Sequence, residues 1–362
     1  MPTRVAIIGA GIAGLGAAYA LRPNNVTDAN LHVEVFEKSR GYGGRATTRR
    51  RHGARYDHGA NYFKIDSDRL QALIHDVLPA DELTTIDGEI WTFEADGRIQ
   101  PGDPGHNQST KWTYRMGISY LGKLLADAAQ PHAIHTQVRI QRIHRLDSGA
   151  WRLETTEGAS YGPFEAVVLT PPSPQSIDLL EASDLPEAWG PALVEALGQA
   201  QYQPQYALMY AFDAPVPRPE RKVYALLNLD RAHPIAWLGF EEDKPGHVPE
   251  VLGSLLVAQM SPAWTKAHYD SDREDVLQEG LRLVTALLGT DLPAPVWTDA
   301  QRWRYALPTQ AADVEALQQG QAHGVFFAGD GLVGKGRVHQ ALESGLDTGA
   351  ALSGWLRSRS SA

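Results

Sequence analysis

The sequence predicts an α/β fold with two domains, and two observations carry that prediction. First, residues 4–45 read as a short apolar strand, a glycine-rich turn, a helix to about Leu21 and a second apolar strand ending at Glu37. Second, residues 186–300 change character and become rich in Trp, Tyr and Pro. A length of 362 residues suits two domains better than one.

The N-terminal turn has the glycine spacing of a dinucleotide-binding unit. Gly9 permits the tight turn, Gly11 lets a pyrophosphate approach the backbone, and Gly14 lets the helix pack closely on the strand. The N–H groups at the start of the helix would then hold the phosphates. Glu37 lies at a strand end, where its carboxylate can accept both ribose hydroxyls.

The composition excludes several classes of site and partner. A net charge of −10 argues against nucleic acid or an anionic membrane surface as the main partner. The absence of cysteine excludes disulfides, thiolate zinc sites and a flavin tethered through cysteine. The histidines show no metal-ligand spacing, so we expect no metal. We found no signal peptide and no apolar run of about 18 residues, so we expect a soluble cytoplasmic protein.

Periodicity predicts the remaining elements. Leu70, Leu73, Ile74 and Leu78 mark one apolar face of a helix over residues 66–79. Other predicted elements are a loop at 22–31, an irregular stretch at 89–110, a helix at 111–129, one strand through residues 136–140, a hairpin turn at 147–149, strands at 164–169, 206–212, 251–259 and 324–329, and helices near 273–288 and 338–356. Gly345 and Gly349 share a face of the last helix and should permit close packing.

Segments at both ends of the chain resemble the flavoprotein amine oxidase superfamily. The strand followed by Gly329-Asp330 and a helix, together with the N-terminal unit and Gly43-Gly44-Arg45, carries that resemblance. Within the superfamily, four segments resemble those of renalase-like flavoproteins: 43–48 (GGRATT), 57–63 (DHGANYF), 170–175 (TPPSPQ) and 302–306 (RWRYA). Asn61 stands where these proteins usually have Gln, and Lys64 where a small hydroxyl residue is common.

The resemblance implies a discontinuous, three-layer Rossmann-type FAD-binding domain and an α+β substrate domain with a mixed or antiparallel sheet. We expect the FAD-binding domain at 1–70, 131–185 and 300–362, and the substrate-binding domain at 71–130 and 186–299. FAD would be bound without a covalent link. The residues expected to contact it, from the glycine spacing and the resemblance together, are Gly9, Gly11, Ala13, Gly14, Glu37, Lys38, Gly44, Arg45, Asn61, Tyr62, Val138, Gly329, Asp330 and Val338.

Several of these residues also have simpler roles open to them. Arg45 suits a pyrophosphate or flavin contact but can also pair with a nearby acid. Asp330 would hold a ribityl hydroxyl by resemblance, yet Asp often caps a turn. Tyr62, Lys64, Trp303 and His339 are the candidates for contact with the reacting atoms, although Trp303 can equally be a core residue.

The resemblance implies an oxidase that transfers a hydride from a substrate carbon to flavin N5, with O₂ as electron acceptor and H₂O₂ as product. The expected substrates are the 2- and 6-dihydro isomers of NAD(P)H, which are small anionic molecules. An amine oxidase or desaturase-like enzyme with an aromatic cage is one alternative. A non-catalytic nucleotide-binding redox protein is another.

Overall fold

The computed structural model describes residues 2–22 and 30–360, apart from the side chains of residues 106 and 360. Most of the loop predicted at 22–31 lies outside the described residues. The strands are β1 (Thr3–Ile8), β2 (Leu31–Glu37), β3 (Thr48–Arg51), β4 (Ala54–Asp57), β5 (Leu83–Thr85), β6 (Glu89–Phe93), β7 (Ile99–Gln100), β8 (Trp112–Tyr114), β9 (Ala133–Thr136), β10 (Ile140–Arg145), β11 (Trp151–Thr155), β12 (Ser160–Phe164), β13 (Ala166–Leu169), β14 (Gln201–Phe212), β15 (Val223–Asn228), β16 (Ile235–Phe240), β17 (Ser254–Met260), β18 (Trp297–Gln310) and β19 (Val325–Phe327).

The α-helices are α1 (Ile12–Ala20), α2 (Asp68–Gln71), α3 (Pro104–Gln108), α4 (Ser119–Ala129), α5 (Ser173–Glu181), α6 (Gly190–Gly198), α7 (Pro262–Ala267), α8 (Arg273–Leu288), α9 (Val314–Leu317) and α10 (Val338–Ser360). A π-helical turn (Ala72–Val77) continues α2, and short 3₁₀ turns occur at Glu241–Asp243, Gln318–His323 and Asp330–Leu332. Among the described residues, no helix is long and apolar enough to cross a membrane.

A parallel sheet of five strands, in the order β19-β13-β1-β2-β9, forms the middle of the first unit. On one side, α1, α4 and α10 bury the larger apolar cluster with residues of β1 and β2. On the other side, α5, α6 and the antiparallel sheet β10-β11-β12 bury a second cluster. The three layers predicted for the Rossmann-type unit are therefore confirmed.

A mixed sheet of seven strands, in the order β18-β14-β17-β16-β15-β6-β7, forms the second unit. Only β6 and β15 pair in parallel, while the other neighbours are antiparallel. One face is covered by α7 and α8. The opposite face packs on the β3–β4 hairpin, which belongs to the N-terminal part of the chain. The mixed sheet of the predicted α+β unit is also confirmed.

Three local predictions were wrong, each because tertiary pairing decided the structure. Residues 89–93 are not irregular, since β6 joins the edge of the seven-stranded sheet beside β15. The helix predicted from residue 111 begins only at Ser119, because residues 112–114 pair with β5. The single strand predicted through 136–140 is broken at Gln137, whose φ is +59°, where the chain leaves the parallel sheet for the antiparallel one.

The domain boundaries stay a prediction, and two segments bear on them. Helix α4, placed by sequence in the substrate domain, packs against α1 in the core of the first unit. Strand β18, of which residues 300–310 were placed in the FAD-binding domain, pairs with β14 throughout the seven-stranded sheet.

Candidate functional site

The glycine turn between β1 and α1 has the geometry that its sequence predicts. Gly9 has a φ of +108°, in the left-handed region that favours glycine. A Cβ at Gly14 would lie 2.0 Å from the carbonyl oxygen of Gly9, so only glycine allows helix and turn to approach this closely. A Cβ at Gly11 would meet nothing within 4 Å, which leaves the backbone at the start of α1 open to a ligand. These features fit a dinucleotide pyrophosphate.

Glu37, at the end of β2, contacts the backbone of this turn. Its carboxylate accepts hydrogen bonds from the backbone N–H groups of Ala10 (2.8 Å) and Ser39 (2.7 Å). The Val138 N–H donates to the backbone oxygen of Glu37 at 2.9 Å, which places Val138 at the same strand end. The neighbouring Lys38 donates to Gln175 Oε1 at 2.8 Å, and burial lowers the pKa of its ammonium. The residues predicted to bind the ribose end of the cofactor, Glu37, Lys38 and Val138, therefore lie together at the end of β2.

Arg45 and Asp330 bring the two ends of the chain together. Arg45 Nη2 donates to Asp330 Oδ1 at 2.6 Å, and Arg45 Nη1 donates to the backbone oxygen of Ala306 at 2.9 Å. The simpler role considered for Arg45, pairing with an acid, is thus present, and its acid is another predicted cofactor residue. Gly44 sits beside the glycine turn, where its Cβ position lies 3.2 Å from the Cα of Gly11.

A small cavity, with room for about one water molecule, lies next to this ion pair at the carboxyl ends of β13 and β19. Thr170, Tyr202, Gly329 and Asp330 contribute to its lining. Ligands of open α/β sheets bind outside the carboxyl ends of the strands, so Asp330 lies at the edge of the sheet where a ligand is expected. Val338, the first residue of α10, is buried in the core that holds α1 and its residue Ala13.

The segment from residue 57 to residue 61 is clamped by the seven-stranded sheet. The indole N–H of Trp303 donates to the backbone oxygen of His58 at 2.7 Å, and the two rings stack with centroids 5.6 Å apart. Gln259 Nε2 donates to the backbone oxygen of Gly59 at 2.6 Å. Burial lowers the pKa of His58 to about 4, so its imidazole is neutral near pH 7. Trp303 therefore anchors this segment through His58.

Asn61, at the end of the clamped segment, keeps an unused acceptor. Its Oδ1 is buried and has no hydrogen-bond partner in the described part of the chain. Buried polar atoms are nearly always paired, so such an atom next to the predicted flavin position is a candidate ligand contact.

Three aromatic residues, Tyr62, Tyr224 and Trp237, form what we call the aromatic wall. The ring centroids of Tyr62 and Trp237 are 6.3 Å apart, and those of Tyr224 and Trp237 are 5.9 Å apart. Burial raises the pKa of both tyrosines, so both phenols stay protonated near pH 7. Sequence reasoning named Tyr62 but missed Tyr224 and Trp237, because only the pairing of β15 with β16 turns both toward Tyr62.

The other two catalytic candidates, Lys64 and His339, each contact a polar side chain. Lys64 Nζ donates to Ser109 Oγ at 3.0 Å. His339, in the first turn of α10, has its Nε2 3.3 Å from Asp66 Oδ2, and burial lowers the pKa of its imidazole.

A buried charged network joins the β3–β4 hairpin to the turn after β16. Lys244 Nζ lies 2.9 Å from Asp57 Oδ2 and 2.7 Å from Glu241 Oε1, and His247 Nδ1 lies 2.9 Å from Glu241 Oε2. Although burial opposes it, the two carboxylates raise the pKa of Lys244 above its ordinary value. Asp57, Glu241 and His247 have ligand atoms within 4.8 Å of one another. The Lys244 ammonium pairs with both carboxylates, and the absence of a metal stays a prediction.

Comparison with known proteins places the chain in a family. Residues 7–77 match the model of an NAD(P)-binding Rossmann-like domain, and residues 87–352 match that of flavin containing amine oxidoreductase. Renalase from Mus musculus is 24% identical over 323 residues, which cover 85% of this chain and 86% of the relative.

Solved structures share the whole fold at low sequence identity. A protein from Exiguobacterium sp. 255-15 assigned as a protoporphyrinogen oxidase matches with a TM-score of 0.76 at 17% identity, covering 98% of this chain and 99% of the other. Cyclohexylamine oxidase from Brevibacterium oxydans IH-35A matches with a TM-score of 0.73 at 15% identity, covering 99% and 100%. These likenesses show that the fold of both units is shared. The chain thus belongs to the flavin-containing amine oxidoreductase family, as a renalase-like, FAD-dependent oxidoreductase.

Proposed function

We propose that the protein oxidises the 2- and 6-dihydro isomers of NAD(P)H to NAD(P)+, with O₂ as electron acceptor. Bound FAD supplies the two-electron chemistry, taking a hydride from the substrate carbon and passing the electrons to O₂. One proton from solution completes the balance: dihydro isomer, O₂ and H⁺ give NAD(P)+ and H₂O₂. The distant similarity to mouse renalase supports this choice of substrate.

The observation that carries the proposal is the chemistry of the aromatic wall and its surroundings. Tyr62 and Tyr224 stay protonated, and His58 stays neutral, so none of the three changes charge near pH 7. A dihydropyridine gives up a hydride without first losing a proton. A substrate of this kind needs an aromatic surface against its flat ring and needs no protein base.

We further propose how the chain holds FAD without a covalent link. Gly9, Gly11 and Gly14 would admit the pyrophosphate at the start of α1, and Glu37 would accept the ribose hydroxyls. Asp330, oriented by Arg45, would accept a ribityl hydroxyl. The other residues proposed to contact the cofactor are Ala13, Lys38, Gly44, Asn61, Tyr62, Val138, Gly329 and Val338.

Oxygen uptake with purified substrates tests the proposed reaction. The 2- and 6-dihydro isomers should each consume O₂ and yield one H₂O₂ per NAD(P)+, whereas ordinary 4-dihydro NADH and amines should not. Tyr62→Phe is the matched variant: it keeps the ring, so the rate of flavin reduction should stay within about threefold of the wild type. A loss of ~100-fold or more would mean that the phenol acts as an acid or base, contrary to the proposal.

The same aromatic wall also favours a second candidate, an amine oxidase with Lys64 positioning a water. O₂ uptake with amines and none with the isomers would select this candidate. No substrate-dependent uptake would favour the binding protein without catalysis. Either result contradicts the proposed function.

A further inference from the structure

The strand β8 and the segment around Phe63 form a small sheet whose two faces differ. Phe63 and Trp112 exchange both backbone hydrogen bonds at 2.9 Å, which fixes an antiparallel register. Phe63 and Tyr114 point into the core of the first unit, with ring centroids 5.8 Å apart. Side chains alternate along a strand, so Tyr62, Lys64 and Lys111 lie on the opposite face.

Lys64 and Lys111 each adjoin one residue of this bridge, and they are close enough for the charge of Lys64 to lower the pKa of Lys111. On the other side of Lys111, the Ile86 N–H donates to the backbone oxygen of Lys111 at 2.9 Å. Ile86 belongs to the buried cluster of the aromatic wall, so Lys111 is held against that wall.

Lys111 is 5% exposed, although its ammonium is charged. Within the described ranges, its Nζ makes no hydrogen bond and no ion pair. Burial lowers its pKa, and the neighbouring Lys64 adds to the effect while Asp87 opposes it. The nearby carboxylate of Glu89 is held by the Trp91 indole N–H and by Lys222 Nζ, at 2.9 and 3.1 Å. The stem of Lys111 is thus buried while its Nζ reaches solvent, so an anionic ligand can approach the ammonium.

Further side chains beside the aromatic wall carry polar atoms without a hydrogen-bond partner. Thr113 Oγ1, Tyr224 OH and Trp237 Nε1 are buried without a hydrogen-bond partner among the described residues. Arg337, just before α10, lies close enough to Tyr62 to lower the pKa of its phenol against the effect of burial. The region beside the aromatic wall therefore offers positive charge to an incoming ligand, and unpaired polar atoms are buried behind it.

We infer that Lys64 and Lys111 form an anion subsite that binds the pyrophosphate of a dinucleotide substrate whose ring lies against the aromatic wall. This inference rests on the proposed function, because it assigns the binding of the non-reacting part of that substrate. Lysine ammonium groups bind phosphate oxygens as point charges, and two adjacent lysines suit a group with two negative charges. The subsite acts on binding and leaves the hydride transfer itself unchanged.

Binding of ADP-ribose tests the subsite independently of catalysis, since it carries the pyrophosphate but no oxidisable ring. Titration into the FAD-loaded protein, followed by the change in flavin absorbance, gives its Kd. Lys64→Gln and Lys111→Gln should each raise that Kd about 10-fold, as expected for loss of a charge-assisted hydrogen bond. Lys266→Gln, at an exposed position on α7, is the matched control and should leave the Kd unchanged.

Anaerobic flavin reduction gives the second readout. For 6-dihydro NAD, Lys111→Gln should raise the apparent Kd while the limiting rate of reduction stays the same. For an uncharged 1-methyl dihydronicotinamide isomer, both quantities should match the wild type. A double variant combines Lys64→Gln with Lys111→Gln. Added salt should weaken dinucleotide binding by the wild type more than by this double variant. FAD content and thermal unfolding confirm that each variant is folded, and Lys64→Ser serves as a second substitution.

The outcomes separate this inference from the proposed function. If no dihydropyridine reduces the flavin but ADP-ribose binding still depends on the lysines, the proposed function fails and the subsite stands. If ADP-ribose does not bind the wild type, or binds the double variant equally well, the subsite is wrong whatever the substrate.

Discussion

Arg45 and Asp330 are 285 positions apart in the chain and depend on each other in the site. The Arg45 guanidinium neutralises the Asp330 carboxylate, and the carboxylate in turn orients the guanidinium. The side chain of Asp330 is 8% exposed, so its charge needs that partner. The pair therefore pre-organises a carboxylate where the resemblance predicts a ribityl contact.

Replacing Asp330 by Ala should lower FAD affinity by about 10- to 100-fold, because one charge-assisted contact is lost and Arg45 loses its acid. Titration of FAD into the apoprotein, followed by flavin fluorescence, measures the effect. Asp184→Ala, at an exposed position, is the control. A Kd for FAD within twofold of the wild type in Asp330→Ala would contradict the assigned role.

His58 gives the protein a specific dependence on pH. The unfolded imidazole takes up a proton as the pH falls through 6.5, whereas the buried folded one stays neutral down to about pH 4. The unfolded state therefore binds more protons in this window, and the free energy of unfolding falls as the pH falls. From pH 7.5 to pH 5 the loss from this residue should be about 2 kcal/mol.

Urea unfolding of the wild type and of His58→Phe at both pH values isolates that contribution. Phe keeps a ring to stack on Trp303 but cannot titrate. The wild type should lose about 2 kcal/mol more than the variant between pH 7.5 and pH 5. Equal losses in the two proteins would mean that His58 is not held neutral by its burial.

Among single residues, those with a short-range signal could be predicted. Gly9, Gly14 and Glu37 follow from the spacing of one strand–turn–helix–strand unit, and the structure places them as that unit requires. Trp237 and Lys111 could not be predicted, because their place beside Tyr62 depends on strand pairings between distant segments. Their sequence neighbours carry no motif.

At the scale of elements, the contact between α1 and α10 brings the last helix against the glycine turn. A Cβ at Gly345 would lie 2.1 Å from the carbonyl oxygen of Ala13, and one at Gly349 would lie 2.6 Å from the Ala20 Cβ. The close packing predicted from these two glycines is confirmed. Because α10 begins at Val338, this packing also fixes where its first turn lies relative to the site.

Gly345→Ala should therefore destabilise the protein by roughly 1–3 kcal/mol, since the added methyl group forces the helices apart. Gly354→Ala, in the same helix, has room around its Cβ and should stabilise by up to about 1 kcal/mol through helix propensity. Thermal unfolding of both variants checks the prediction. A stabilised Gly345→Ala would show that the helices do not need this approach.

Elements with strong periodicity were predictable and those set by pairing were not. Helix α8 follows its predicted bounds, with Asp272 as the N-cap residue and Gly289 in the left-handed conformation at its end. Strands β6 and β8 are short, and partners from elsewhere in the chain determine both. Because the surrounding sequence is polar and rich in Gly and Pro, local pattern does not predict these strands.

For the whole molecule, the buried network around Lys244 links the two units. Asp57 is the last residue of β4 in the β3–β4 hairpin. Its partners Lys244, Glu241 and His247 come from the turn after β16 in the seven-stranded sheet. Asp57 Oδ1 also accepts from Thr48 Oγ1 at 2.6 Å and from the Ile118 N–H at 3.1 Å. The network thus positions the segment that leads to His58, Asn61 and Tyr62.

Lys244→Met should cost about 3–5 kcal/mol in the free energy of unfolding, because two buried carboxylates lose their counter-charge. Lys222→Met is the matched control, since its pair with Glu89 is half exposed and should contribute roughly 0–1 kcal/mol. Urea unfolding gives both values. A Lys244→Met protein as stable as the wild type would show that the network does not hold the units together.

We propose that this fold binds FAD and presents it to a dihydronicotinamide. The most direct measurement is the absorbance spectrum of the purified protein, followed anaerobically after adding NADH that contains its 2- and 6-dihydro isomers. We expect flavin bands that bleach rapidly with the isomers and not with pure 4-dihydro NADH. Flavin bands that never bleach would contradict the substrate, and a colourless protein that takes up no added FAD would contradict the cofactor itself.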